Sequence, residues 1–252
     1  HGAALLLLLL PVSFCEYPFG NNVTFPEPIR LALTIPLTSR GGPMEGSMMD
    51  KVKGLRFFGS FLPSFLSTSL MLRNNSYHFP CVYEFWIGYD LGDPVFDSED
   101  GQFQFRLHFQ RQVQEFDRQT YCGRPDDDTD DASSLESREK VSRSCLQLHF
   151  MGFNFTNTLT ALWNGLNRAA YKAGAHYLFM PNDDLFLRTA GWAPALVQRL
   201  WASPTWPNLG VTGPYDRVSG QGNMPSMPMV HRTHLDIFSP SLPVSLHNWY
   251  ND

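Results

Sequence analysis

The residues best placed to do chemistry are Asn182, Asp183 and Asp184. They follow Tyr177-Leu178-Phe179-Met180, a short apolar run opened by a Gly-Ala pair and closed by Pro181. Such a run reads as a buried strand. In an open α/β sheet, ligands bind outside the carboxyl ends of the strands, so polar groups emerging together there are candidates for a site. Adjacent carboxylates repel each other unless a cation or a set of donors neutralises them. The simplest cation is Mg²⁺ or Mn²⁺ shared with a phosphate, because hard oxygen ligands suit hard cations. The same three residues also suit a capped turn, in which Asn and Asp satisfy free backbone N–H groups.

The richer acidic run, Asp126 to Asp131, has no strand before it and no apolar anchor, and reads as a solvated loop. Asp90 and Asp93 follow another strand-like run and flank a glycine, which also suits an ordinary turn. Arg40 and Arg232 could meet an anion as charge-assisted donors, or form surface pairs.

The elements that must position these groups alternate. Ile29 to Pro36 predicts the first strand, and Leu37 to Gly42 a polar, flexible loop. Ser60 to Leu72 predicts a helix with a proline near its start. Val82 to Tyr89 is aromatic and β-branched, hence a second strand ending at Asp90. Phe103 to Phe109 alternates and predicts a further strand, as does Cys145 to Phe150. Thr158 to Ala173 carries Leu159, Leu162, Trp163, Leu166 and Ala170 at helical spacing, with Gly174 as a stop. Thr189 predicts a cap for a helix through Trp192, Leu196 and Leu200. Leu209 to Gly213 predicts a short strand, and the stretch onward to Pro228 a loop. Strand-helix alternation predicts an α/β domain with a mostly parallel sheet.

At 252 residues the chain is long enough for one large domain. With 43% hydrophobic and 17% charged residues it is globular in composition, and its net charge of −5 with no basic cluster excludes a nucleic-acid partner. Leu5 to Leu10 is an unbroken leucine run. It is too short to span a bilayer and fits the apolar part of a signal peptide or the end of a membrane anchor, so residues 1–28 are expected to be a truncated signal- or anchor-like segment. Three sequons, at Asn22, Asn74 and Asn154, agree with entry into the secretory pathway. The four cysteines lack the spacing of a zinc site. Cys122 and Cys145 could pair in an oxidising lumen or remain buried thiols.

In this order, several stretches resemble the GT-A fold of nucleotide-sugar glycosyltransferases, especially family-2-like members. Ile35-Pro36-Leu37-Thr38-Ser39-Arg40 is similar to the first-strand motif that starts the nucleotide-binding loop. Ile87 to Asp93 is similar to the second-strand motif, and Trp163 to Asn167 with Ala173-Gly174-Ala175 to the helix before the metal motif. Asn182-Asp183-Asp184 occupies the D-x-D position, with Asn where the family usually has Asp. Gly191-Trp192 resembles the start of the next helix, and Val211 to Pro214 with Met229 to Asp252 resembles the acceptor-side half. The resemblance covers about residues 29–252, with a polar, acidic insertion at about 123–144, and implies a domain truncated at its C-terminus.

The resemblance implies an α/β, Rossmann-like, mostly parallel sheet flanked by helices. It implies transfer of a sugar from a UDP- or GDP-sugar to a glycan, protein or lipid hydroxyl in the Golgi or ER lumen. Asp184 and His231 would hold Mn²⁺ or Mg²⁺. Pro36, Thr38, Arg40, Asp90, Asn182 and Asp183 would bind the nucleotide sugar, with Asp90 accepting from a base N–H. Asp252 would serve as general base. Trp249 and Tyr250 would stack on an acceptor ring or lie in the core. Two rival readings are a nucleotidyltransferase of similar architecture, for which Arg40-Gly41-Gly42 is a faint loop signature, and a non-catalytic secreted sugar-binding domain.

Overall fold

A computed structural model of the chain describes residues 28–40, 45–69, 81–121, 146–154, 158–215 and 227–238. The acidic insertion, Asp252, Trp249, Tyr250, Cys122, Cys145, the sequons at Asn22 and Asn74 and the leucine run lie outside the described residues, and of the third sequon only Asn154 is described.

Five strands form one sheet. They are β1 (Ile29–Pro36), β2 (Cys81–Asp90), β3 (Leu146–Phe153), β4 (Tyr177–Phe179) and β5 (Met229–His231). Their spatial order is β3-β2-β1-β4-β5, parallel except for β5, which runs antiparallel to β4. The helices are α1 (Met48–Lys53), α2 (Leu62–Ser69), α3 (Glu99–Tyr121), α4 (Leu159–Lys172), α5 (Trp192–Trp201) and α6 (Thr233–Ile237), with a π-helical turn at Phe57–Phe61 running into α2. The expected α/β architecture with a mostly parallel, Rossmann-like sheet is therefore present.

Alternation along the central strands builds two cores. Leu31, Leu33 and Ile35 of β1 and Tyr83, Phe85, Ile87 and Tyr89 of β2 face one layer of helices. There Phe57, Phe61, Phe65 and Phe109 pack edge to face on Phe85, and Phe105 packs on Phe57. The opposite face is thinner, with Ala32, Trp86 and Leu178 against Trp163, Leu166 and Ala170 of α4. Gly88 is required for this approach, because a Cβ there would lie 2.7 Å from a Leu166 methyl. A buried carboxylate, Glu84, is satisfied on the same face by Arg30 Nε (2.5 Å) and Trp86 Nε1 (3.0 Å).

Three sequence expectations are corrected. Phe103 to Phe109 is not a strand but part of α3. Phe105, Phe109 and Val113 are buried at four-residue spacing while Phe103 is exposed, so helical rather than twofold periodicity decides the run. Ser98 starts this helix by accepting from Gly101 N–H (3.0 Å). The cap of α5 is Gly191 with φ +75°, not Thr189. Leu209 to Gly213 forms no strand, and only Thr212 bridges to Met229. Of the predicted first helix, Leu62–Ser69 is α2, preceded by the π-helical turn. Helix α1, closed by a Ser47–Asp50 capping box, was not anticipated.

Candidate functional site at the carboxyl edge of the sheet

The strand order reverses between β1 and β4. Chain order runs outward from β1 through β2 to β3 on one side, and through β4 to β5 on the other. This is the topological switch point, where an open α/β sheet leaves a crevice at its carboxyl edge. The loops after β1, β2 and β4 emerge at that edge. They carry Thr38, Ser39 and Arg40, then Asp90 and Asp93, then Asn182, Asp183 and Asp184.

The β1 and β2 loops are locked together by Asp93. The residue is 1% exposed. It accepts from Ser39 N–H (2.8 Å), Ser39 Oγ (2.7 Å), Thr38 Oγ1 (3.3 Å), Val95 N–H (3.0 Å) and Phe96 N–H (3.1 Å). Burial pushes this carboxyl up, but the Ser39 hydroxyl and the backbone donors outweigh it and hold the group below the ordinary carboxylate range. Asp93 is therefore the brace of the loop, not a ligand contact. Thr38 shares in the brace, and its hydroxyl also accepts from Arg40 N–H (3.1 Å). Pro36 ends β1 level with Gly88, and the next residue, Leu37, donates to Gly88 O (2.7 Å).

Asp90 is placed differently. It is the last residue of β2, and Arg40 Nη1 lies 3.7 Å from its Oδ2. Its Oδ1 is buried without a hydrogen-bond partner among the described residues. A buried acceptor without a donor is costly unless a ligand completes it.

The β4 end is held from below by α4. Thr34 Oγ1 donates to Asn167 Oδ1 (2.9 Å), and Asn167 Nδ2 contacts Met180 Sδ (3.1 Å). Met180 N–H donates to Pro228 O (2.9 Å). Beyond this anchor the two carboxylates diverge in environment. Asp183 is half-buried; burial and then the neighbouring Asp184 charge push its carboxyl up to about 6. Asp184 is exposed and pairs with Arg56 Nη1 at 3.3 Å. Asn182 O accepts from Leu185 N–H (3.4 Å), closing the turn.

His231 and Arg232 are not brought to this edge. Because β5 is antiparallel, His231 is level with Tyr177 at the start of β4, while Met229 is level with Phe179. The His231 ring packs on Tyr177 (4.9 Å) and lies 2.8 Å from Thr233 Oγ1. Burial, then neighbouring His176, pushes it down to about 4, so the ring is neutral and packed. The expectation that His231 shares a metal with Asp184 is corrected by the strand direction. Arg232 lies over the Tyr171 ring (4.8 Å), and its N–H donates to His176 O.

Among the described residues, no group of three or more His, Cys, Asp or Glu side chains could hold a metal alone. A hard divalent cation shared with a diphosphate needs only one or two carboxylates. Asp183 and Asp184 fit that arrangement, because Asp183 carries a poorly compensated, partly buried charge that a cation would relieve. One pH dependence follows. A cation held by this pair would require the deprotonated carboxylate, so its apparent affinity would fall about tenfold from about pH 7 to 5 as Asp183 takes up its proton near 6. In the Asp183→Asn variant this slope disappears. The sign for folding is opposite. A carboxyl raised from 3.8 to about 6 favours the folded state increasingly as pH falls through that window. Calorimetric Mn²⁺ titrations and melts across that range read both.

Among the described residues, no helix is long and apolar enough to cross a membrane. The sequence matches no protein-family model and no curated protein.

Proposed function

We propose that this chain is a GT-A-type glycosyltransferase acting on a UDP- or GDP-sugar with Mn²⁺ or Mg²⁺ in the secretory lumen. The observation that carries this reading is the emergence of three loops at one carboxyl edge of the sheet, beside the switch point. One brings Arg40, one brings Asp90 with its unpartnered Oδ1, and one brings the Asp183–Asp184 pair. This is the arrangement a nucleoside diphosphate needs: an acceptor for a base N–H, donors for the phosphates, and carboxylates for a cation between them.

In the reaction, the bond from the anomeric carbon to the diphosphate oxygen breaks and the electron pair leaves with the diphosphate. A bond forms from the anomeric carbon to the acceptor oxygen, whose proton passes to a base. A bound cation supplies charge stabilisation on the departing diphosphate. Asp183 and Asp184 are the residues that would hold such a cation. Asp90 fixes the base, and the Asp93 brace keeps Arg40 near the phosphates. Asp252 is the candidate base by resemblance alone.

The test is a screen of UDP- and GDP-sugars for release of the nucleoside diphosphate by the full chain with Mn²⁺. The expected result is release from one donor class, abolished by EDTA. Release of pyrophosphate from a sugar phosphate and nucleoside triphosphate would instead favour the nucleotidyltransferase reading. Tight sugar binding without turnover would favour the non-catalytic one.

A further inference from the structure

Asp184 is met by a residue 128 positions away in the chain, and this meeting is built rather than incidental. Arg56 stands at the entry to the π-helical turn Phe57–Phe61, whose Phe57, Phe58 and Phe61 are buried in the aromatic core. Its backbone is thus pinned while its side chain stays 76% exposed. The unit that carries it is stitched to the segment following Asp184. Leu187 N–H donates to Ser64 Oγ (3.0 Å), Gly191 N–H to Thr68 O (3.2 Å) and Trp192 Nε1 to Ser69 Oγ (2.9 Å). The π-helical turn is itself a costly local geometry that recurs at functional sites. The result is an exposed guanidinium on a fixed base, delivered to the exposed carboxylate of the site.

Resting on the function proposed above, we infer that Arg56 is a diphosphate-binding residue and that its pair with Asp184 is the nucleotide-free arrangement. When a cation occupies the carboxylates, like charge repels the guanidinium from Asp184. The nearest compensating charge is then the donor's diphosphate, which a planar guanidinium binds bidentately. Arg56 thereby competes with the bare cation and cooperates with the cation–nucleotide complex. Arg40, beside Asp90, holds the other flank.

The opposed signs give a test that does not depend on turnover. Mn²⁺ alone, and UDP or GDP with Mn²⁺, are titrated into the full chain and into Arg56→Gln and Arg56→Lys. An exposed ion pair is worth little, so removing its charge should tighten binding of bare Mn²⁺ only about threefold. Loss of a charge-assisted contact to the diphosphate should weaken Mn²⁺-dependent nucleotide binding about tenfold. Arg56→Lys should recover bare Mn²⁺ binding to the wild-type level and nucleotide binding only in part. Melting curves superimposable on wild type are expected, since the side chain is exposed. If nucleotide binds the wild type with Mn²⁺ but Arg56→Gln moves neither affinity, or both in one direction, the pair is an ordinary surface contact and the inference falls alone. If the wild type binds no nucleotide with Mn²⁺, the metal-site reading falls and takes this inference with it.

Discussion

The double variant Asp183→Asn, Asp184→Asn is expected to lose Mn²⁺-dependent nucleotide binding by at least about 100-fold while keeping its fold. The magnitude follows from the number of ligands. A hard cation held by one or two carboxylates and the substrate's phosphates has no other protein anchor to fall back on. The fold should survive because both residues lie past the last paired residue of β4, and because removing the mutual repulsion relieves strain. The single variants should rank. Asp184→Asn frees Arg56, so part of the lost cation binding is replaced by direct attraction of the guanidinium to the phosphates. Asp183→Asn has no such compensation and should be the more damaging. Calorimetric titration of UDP and GDP, with parallel melting curves, checks the order. Equal nucleotide binding by wild type and double variant would remove the carboxylates from the site.

The second large effect is structural in origin and functional in consequence. Asp93→Ala strips the acceptor from five donors in a site that water does not reach. Leaving buried donors unpaired costs about 1–3 kcal/mol each at most, softened by relaxation, so a loss of about 3 kcal/mol is expected. For a domain of this size that lowers Tm by about 6–12 °C. Asp93→Asn should cost less, because it keeps one acceptor oxygen, but its amide then faces an N–H or O–H donor. The β1 loop should loosen before the sheet does, so nucleotide affinity falls at temperatures where the protein is still folded. Because the Asp93 carboxyl is held below its ordinary 3.8, its contribution is present above that value and is lost as pH falls through the lowered one. The gap in melting temperature between Asp93→Ala and wild type should therefore be widest at neutral pH and narrow in strong acid. Melting curves that match at neutral pH would contradict the brace.

What could be read in the chain divides by how local the cause is. The strand at Ile29–Pro36 and the helix at Leu159–Lys172 were legible because their apolar spacing alone specifies a buried face. The carboxylates after β4 were legible because a short apolar run stopping in Asn-Asp-Asp marks a strand end. Phe103 to Phe109 misled because phenylalanine at alternate positions mimics a strand. Only the continuation to Val113, and the burial of one helical stripe, separates the two periods. Ser47-x-x-Asp50 is a capping-box signal, but the six-residue helix it opens buries only Val52 and so has no apolar periodicity to mark it.

The site was legible in part. Asp90, Asp183 and Asp184 do lie at one edge. His231 and Arg232 were misplaced because strand direction is not written in local pattern. A three-residue strand entered from the other side carries them to the opposite end of β4. Asp93 looked like turn chemistry, and turn chemistry it is, but its hold on Ser39 spans 54 residues and only the parallel pairing of β1 and β2 creates it. Arg56 gave no local signal at all. Its relevance depends on a buried π-helical turn and a contact across 128 residues.

In the proposed function, the carboxyl edge between β1 and β4 binds a nucleoside diphosphate through a divalent cation. Calorimetric titration of UDP and of GDP into the full chain, once with Mn²⁺ and once with EDTA, tests it most directly. One-to-one binding of at least one nucleotide is expected, tens of times tighter with Mn²⁺ than with EDTA. Binding that is indifferent to Mn²⁺, or absent for both nucleotides, would contradict it.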